Sequence, residues 1–414
     1  MRLLRFCFLL GLVLIVGHAA LAQGRLSGVV LDSVTRQPLA FASVFLANTT
    51  LGATTTEQGQ FVFPSVPAGT YDVVGSYVGY RLAKQAVVVG AAPQQLTLQL
   101  APSANRLAEV VVRPNPNRAS DYQKFVELFL GRTSFSRQCR IRNPDDVLVD
   151  FDPAERELTA SAYKFVLVDN QALGYRIKYF GLRFSCNFKK SVVTFYGEPA
   201  FEEMKARSAR QQRVWEANRA KAYRGSLTHF LKSVHDNQVT SEGFLVQKLR
   251  IVPNRRYPRA DSLRRELVRS RRNILTAAEN DSLARWTKEP NAFSMLYTAP
   301  RPIDSLRRVS ADGAQVFLRF TDNLQVSYLR ESPDPLYRVQ SNSLTEPAVA
   351  PPTGRQVSLL VLMTREMEIQ PNGHLVNPLA VFTDEYWGFE KMGEFLPLNY
   401  QPPTTGPSPQ PPTQ

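Results

Sequence analysis

Histidine and cysteine are scarce in this 414-residue chain, which has four of the first and three of the second. His18 and Cys7 fall in the first 22 residues, which leaves His229, His235, His374, Cys139 and Cys186 beyond them. A helical zinc site needs two histidines four apart with a glutamate, and a carboxypeptidase-type site needs His-x-x-Glu with a distant histidine. Three positions after the histidines stand Lys232, Gln238 and Asn377, none a carboxylate. That spacing speaks against a zinc peptidase. Neither cysteine has a histidine nearby in sequence, which speaks against thiol catalysis. No glycine-rich phosphate loop follows a strand pattern, so nucleotide binding has no support. Nor does any apolar run beyond residue 22 reach the length a bilayer span needs. We expect no catalytic residue, no cofactor and no metal.

The first 22 residues do hold an apolar run. Arg2 and Arg5 precede Phe6–Val16, and Ala20-Leu21-Ala22 offers small residues before Gln23. This pattern predicts a secretory signal peptide over residues 1–22, with no transmembrane segment after its removal. The expected location is therefore outside the cytoplasm: periplasm, outer-membrane surface or the medium. Loss of Arg2 and Arg5 lowers the net charge from +14 to +12. A basic balance favours anionic surfaces and acidic polymers, and export sets nucleic acid aside as a partner. In an oxidising compartment a Cys139–Cys186 disulfide is open to the chain. Two separate buried thiols are the alternative, and the alternation of Leu182, Phe184, Cys186 and Phe188 puts Cys186 on a core face.

Residues 24–101 read as strands alone: seven short β-prone runs separated by turn signals, the pattern of a small antiparallel β-sandwich. Gly59, Gly69 and Gly79 stand at its turns. A linker is expected at residues 102–120, where prolines flank asparagine after the β-prone Val110–Val112. Residues 121–400 mix helical and strand periods, which predicts an α+β domain with a mainly antiparallel sheet. Within it we expect a helix ended by Gly131, a strand that changes face at Gly181, and one long helical stretch from Phe201 to His235. A basic helix follows near Asp261–Asn280. Two hairpins are then expected, "AQVFLRF"/"LQVSYLR" and "REMEIQ-PNG-HLVN". The proline-rich residues 401–414 cannot pack a core and are expected to be disordered.

Three weak constellations remain. Ser226 and His229 are neighbours on a helix, but a nucleophile normally sits on a sharp turn with its base supplied from elsewhere, so this pair reads as structural. Asp145, Asp146, Asp150 and Asp152 gather oxygen ligands without the loop glycine of calcium loops. Tyr386, Trp387, Phe389 and Phe395 can anchor a ligand, but at helical spacing they read as core.

Residues 25–101 resemble the carboxypeptidase-regulatory-like domain of Bacteroidota envelope proteins. The resemblance is carried by "GVVLD", "QPLAFASV", "TTEQGQF", "PAGTY" and "SYVGY". It implies a seven-stranded, transthyretin-like sandwich that accompanies other domains and has no zinc ligands of its own. Leu107–Val112, "LAEVVV", resembles the segment that leads into TonB-dependent receptors, yet the 300 residues left are about half of what a plug and a 22-strand barrel require. Residues after 121 are similar to the C-terminal part of Bacteroidota proteins without an established activity. The expected function is that of an exported, non-enzymatic envelope protein, a binding or scaffold module for an envelope protein, a polysaccharide or an anionic surface. Its rival is a hydrolase whose carboxylates come from distant segments of the C-terminal region.

Overall fold

A computed structural model describes residues 23–103, 118–269, 276–338 and 354–403. The predicted signal peptide, most of the linker with Leu107–Val112, and most of the proline-rich tail lie outside the described residues. The chain forms two compact units. One gathers the strands up to residue 129, residues 139–212 and the end from Leu396; the other comprises residues 130–138 and 213–395.

The first unit opens with seven strands: β1 (Gln23–Asp32), β2 (Ser43–Leu46), β3 (Gly52–Thr54), β4 (Gln60–Pro67), β5 (Gly69–Ser76), β6 (Ala83–Val89) and β7 (Gln94–Leu100). They make two facing sheets, β4-β1-β7 and β3-β2-β5-β6. Alternation fills the space between them, with Leu26, Val30, Phe61, Phe63, Tyr71, Val73, Leu98 and Leu100 all buried in one cluster. The sandwich departs from the antiparallel expectation at one ladder: β1 and β7 run parallel from Leu26↔Gln94 to Asp32↔Leu100. The turn after β1 is held by the buried Asp32, whose carboxylate accepts the Tyr80 hydroxyl at 2.6 Å and the Val34 and Thr35 amides at 2.7 and 3.0 Å. Those bonds, the Tyr80 hydroxyl foremost, hold its pKa below the usual carboxylate value. Gly59, Gly69 and Gly79 have φ of 71°, 158° and 85°. At Gly59 a Cβ would stand 2.8 Å from the Val30 carbonyl oxygen, so backbone sign and space both call for glycine.

Helix α1 (Arg118–Leu130) is followed by β8 (Cys139–Ile141), β9 (Val147–Asp152), β10 (Glu157–Ala162), β11 (Phe165–Asn170), β12 (Tyr175–Asn187) and β13 (Val192–Glu203). Their sheet has the order β8-β11-β12-β10-β9, with β13 also paired to β12. Phe125 and Phe129 of α1 meet Phe184 and Tyr179 edge-on at 5.1 and 5.4 Å. At Gly181 (φ 60°) the β12–β13 register shifts, so consecutive Tyr179 and Phe180 are both buried. Phe180 stacks on Phe45 of β2 at 4.8 Å, in a cluster with Ala47 and Val74. This second apolar face of the sandwich strands unites them with a sheet that the sequence pattern places in the C-terminal domain. Lys84 joins the two by bonding Asp72 at 2.7 Å and Glu198 at 2.8 Å. Backbone bonds Asn48 N–H to Pro199 and Leu398 N–H to Asn48, both 2.7 Å, add to the seam.

Phe201 belongs to β13, where its ring meets Tyr175 at 5.7 Å, and not to the long helix expected from that residue onward. Helix α2 (Ala209–Tyr223) starts later and is separated from α3 (Leu227–His235) by Gly225 at φ 77°.

The second unit continues with β14 (Phe244–Pro253), α4 (Tyr257–Arg269), α5 (Ala277–Lys288) and β15 (Ala292–Pro300), so the expected single basic helix is two. Strands β16 (Arg307–Val309), β17 (Val316–Leu318), β18 (Asn323–Tyr328), β19 (Gln356–Leu362), β20 (Met367–Ile369) and β21 (Val381–Glu385) follow, then the short helix α6 (Tyr386–Phe389). The main sheet is β15-β14-β18-β19-β21 and the small one β16-β17-β20. The predicted hairpin of β17 with β18 does not form. Each of these strands has both edges filled by other partners, β16 and β20 for the first, β14 and β19 for the second. The second expected hairpin is reduced to one bridge, Ile369↔Leu375, turned at Gly373 (φ 81°). Phe230, Leu231 and Val234 of α3 enter the core with Leu324, Val326, Leu360 and Trp387.

Candidate functional site

The structure disperses the residues that the sequence offers for chemistry. Ser226 Oγ caps α3 by accepting the His229 amide at 3.1 Å. The His229 ring accepts the Gly225 N–H at Nδ1 (3.1 Å) and directs Nε2 to Glu242 at 3.2 Å. The imidazole is therefore turned away from the serine hydroxyl, and burial pushes its pKa down despite Glu242. A nucleophile–base pair is not formed. Among the described residues no group of three or more His, Cys, Asp or Glu is arranged to hold a metal ion. Asp146 accepts the Asn143 side chain at 3.0 Å, while Asp152 caps the Ala154 amide at 2.8 Å on the strand beyond.

The disulfide that an oxidising compartment would permit is not made. Cys139 and Cys186 both remain thiols. Cys139 pairs with Asn170, itself opposite Tyr175, and Cys186 lies eleven residues further along β12. At about 3.3 Å per residue that separation is several times a disulfide's reach.

Of the four aromatics expected in the core, Tyr386 and Trp387 are buried and Phe389 is half-buried, whereas Phe395, beyond α6, is exposed. The Trp387 indole N–H donates to the Gly225 carbonyl at 2.8 Å and its ring lies 5.5 Å from Phe230. A Cβ at Gly225 would overlap the Gln356 amide oxygen and come within 2.8 Å of Tyr328, at a φ few side chains adopt. Gly225→Ala should cost about 2 kcal/mol or more in chemical denaturation, the positive φ and the overlap acting together.

Two features of the second unit are not read from the sequence. The first is a group of acids behind α6. Glu331, Asp334 and Glu394 all lie within electrostatic reach of Glu390, and burial followed by their repulsion pushes the Glu390 pKa well above its usual value. Burial likewise raises Glu394, to about 8, against the lowering effect of the Thr133 hydroxyl it accepts. Asp334 accepts the Ser134 amide at 3.0 Å and hydroxyl at 3.1 Å. Glu331 is paired with Arg224 at 2.5 Å. The sequence signal is nonetheless present: two glutamates four apart inside the apolar run "YWGFEKMGEF".

The second is the sheet edge. Among the described residues, β15 pairs with β14 on one side and ends the sheet on the other. β14 pairs with β18 only as far as Leu249, so Arg250–Pro253 and Ala292–Met295 form a two-stranded ribbon. Both its faces are open. Phe293, Met295, Leu296, Tyr297 and Ile251 are 41–51% exposed. Register puts Phe293, Met295 and Tyr297 beside Val252, Arg250 and Lys248 on one face, and Leu296 beside Leu249 on the other. Lys248 lies over the Tyr297 ring at 5.2 Å and bonds Asp322 at 2.7 Å. Helices α4 and α5 leave and return at the ribbon's tip. Between Gln247 and Pro300 the chain carries twelve Lys and Arg against five Asp and Glu. This strand escapes a pattern search because "AFSMLYTAP" alternates no polar residue regularly against its apolar ones.

Compared with known proteins, the chain has no match among the curated ones. It is similar to the group B streptococcus pilus 2b backbone protein (18% identity over 20% of this chain and 42% of that one, TM-score 0.18). It is also similar to BcpA, the major pilin subunit of Bacillus cereus (17% identity, 20% and 31%, TM-score 0.18). A third likeness is to a type II cohesin-X-dockerin complex from Acetivibrio cellulolyticus (23% identity, 27% and 76%, TM-score 0.18). The chain thus spans less than half the length of the two pilus proteins. Among the described residues no helix is long and apolar enough to cross a membrane. The family model of the CarboxypepD_reg-like domain matches from Leu26 to Val112, and the seven-stranded sandwich at this end of the chain is that domain.

Proposed function

We propose that the chain is an exported, non-enzymatic binding module of the cell envelope, which holds a partner along the open β15 edge. The observation that carries this reading is the ribbon of β14 and β15. Four large apolar side chains, Phe293, Met295, Leu296 and Tyr297, stand exposed on a strand whose outer edge is unfilled among the described residues, an arrangement that soluble proteins ordinarily blunt or cover. The CarboxypepD_reg-like sandwich serves as a rigid accessory, its core filled by side chains and its turns by glycine. A linker at residues 102–120, signal cleavage near Gln23 and a location outside the cytoplasm belong to the same proposal.

The test is retention on washed envelope fractions. The double variant Met295→Lys/Leu296→Lys places charge on both ribbon faces without touching a buried side chain. It should fold as the wild type by circular dichroism and be retained at least about tenfold less, as loss of central apolar contacts does at interfaces. Equal retention of the two proteins refutes binding through β15.

The acids behind α6 support a second reading, a hydrolase with Glu394 as a proton donor, because a carboxyl titrating at about 8 keeps its proton at neutral pH. Hydrolysis of envelope polysaccharide by the full chain, abolished in Glu394→Gln, would establish that reading. The wild type releasing no reducing ends would remove it.

A further inference from the structure

Resting on that reading of β15, we infer that its occupant is an extended acidic segment of another polypeptide, added to the sheet as a sixth strand. The edge supplies alternate backbone N–H and C=O groups that a strand, and no globular surface, can pair in register. Side chains on an added strand alternate between the two faces, and β15 offers apolar contacts on both, through Phe293, Met295 and Tyr297 on one and Leu296 on the other. Beyond Leu249 the ribbon has only two strands, a form with little stability of its own, so a third strand adds ladder and apolar contact where both are thin.

Charge decides the occupant's sign. Arg250 is exposed in register with Met295, and Arg255, Arg256 and Arg259 are exposed where the chain enters α4. Asp261, the acid nearest them in sequence, is taken up by Arg264 and Arg265 of its own helix. A second copy of the chain would bring this basic ribbon against its like, within a protein of net charge +12 once Arg2 and Arg5 are removed. An anionic lipid surface would suit the charge and the apolar side chains. It would leave the edge N–H and C=O groups without partners in hydrocarbon, which costs several kcal/mol for each group. An acidic strand meets all three requirements.

The full chain is titrated with labelled twelve-residue peptides of alternating valine and glutamate, or valine and lysine, and separately with vesicles of anionic phospholipid. Binding is read by fluorescence anisotropy, and backbone hydrogen exchange is followed at residues 292–300. The Val/Glu peptide should bind at least about tenfold tighter than the Val/Lys peptide, weaken steeply between about 0.05 and 0.5 M salt, and slow exchange on β15. The surface variant Arg250→Glu/Arg255→Glu should reverse the peptide preference. Equal binding of the two peptides at β15 overturns the acidic occupant and leaves the open edge as a binding site. So does vesicle binding that protects β15 while the Val/Glu peptide does not. If no probe protects β15 and Met295→Lys/Leu296→Lys also leaves envelope retention unchanged, the inference and the binding reading fail together.

Discussion

The double variant Glu390→Gln/Glu394→Gln should unfold later than the wild type at pH 8 and at nearly the same denaturant concentration at pH 4. Glu394 titrates at about 8 in the folded protein against 4.5 as an ordinary glutamate. Its folded pKa is raised, so its stabilising effect is complete below about 4.5 and is lost as the pH climbs through 8. Unfolding in that window releases a proton that the folded carboxyl was holding. For Glu394 alone this amounts to roughly 4–5 kcal/mol between pH 4 and pH 9. Glu390 shifts in the same direction, through burial first and then through Glu394, Asp334 and Glu331. Glutamine is neutral throughout and still lets an amide oxygen accept the Thr133 hydroxyl that Glu394 accepts. Urea midpoints across pH 4–9 supply the check. A wild-type slope that survives intact in the variant would show that these carboxyls are already ionised in the folded unit.

Trp387→Ala should cost about 3–5 kcal/mol, close to the whole stability of many domains. The indole is 5% exposed and packs with Phe230 in the core of the second unit. Its removal opens a cavity and also leaves the Gly225 carbonyl, which accepted the indole N–H at 2.8 Å, without that partner. Trp387→Phe separates the two effects, since it retains much of the ring contact and loses only the donor. We expect it to cost about 1–2 kcal/mol. Near-equal denaturation midpoints for Trp387→Ala and wild type would mean that the core closes without this ring.

The N-terminal sandwich is legible in the sequence because its information is local. Period-two alternation, turn glycines and a side-chain carboxylate that closes the first turn all act within a few residues, and strand limits follow from them. The parallel β1–β7 ladder is not legible, since pairing partners about seventy residues apart leave no periodic mark on either strand. Val74 shows a second limit. Alternation assigns Tyr71 and Val73 to the sandwich core and leaves Val74 outward, but a second sheet covers that outward face and buries it with Phe45 and Phe180. The failed β17–β18 hairpin has the same origin: two runs adjacent in sequence each find partners on both sides elsewhere. As for the candidate sites, Ser226 caps α3 while the His229 ring turns to Gly225 and Glu242, contacts that the spacing of the two residues does not specify. The acids at 331, 334, 390 and 394 come together only through folding of segments about sixty residues apart, and β15 announces itself by exposure, which composition does not carry.

The parallel ladder between the first and last strands of the sandwich also fixes how that domain answers a pull. Chain enters β1 at Gln23 and leaves β7 at Leu100, with seven consecutive residue pairs in register between Leu26 and Asp32. Because the two strands run the same way, tension applied at those points draws them past each other lengthwise. The rungs are then strained together in shear, whereas antiparallel terminal strands gripped at one end would unzip rung by rung. Separating those two points by force would therefore require all seven rungs to yield together.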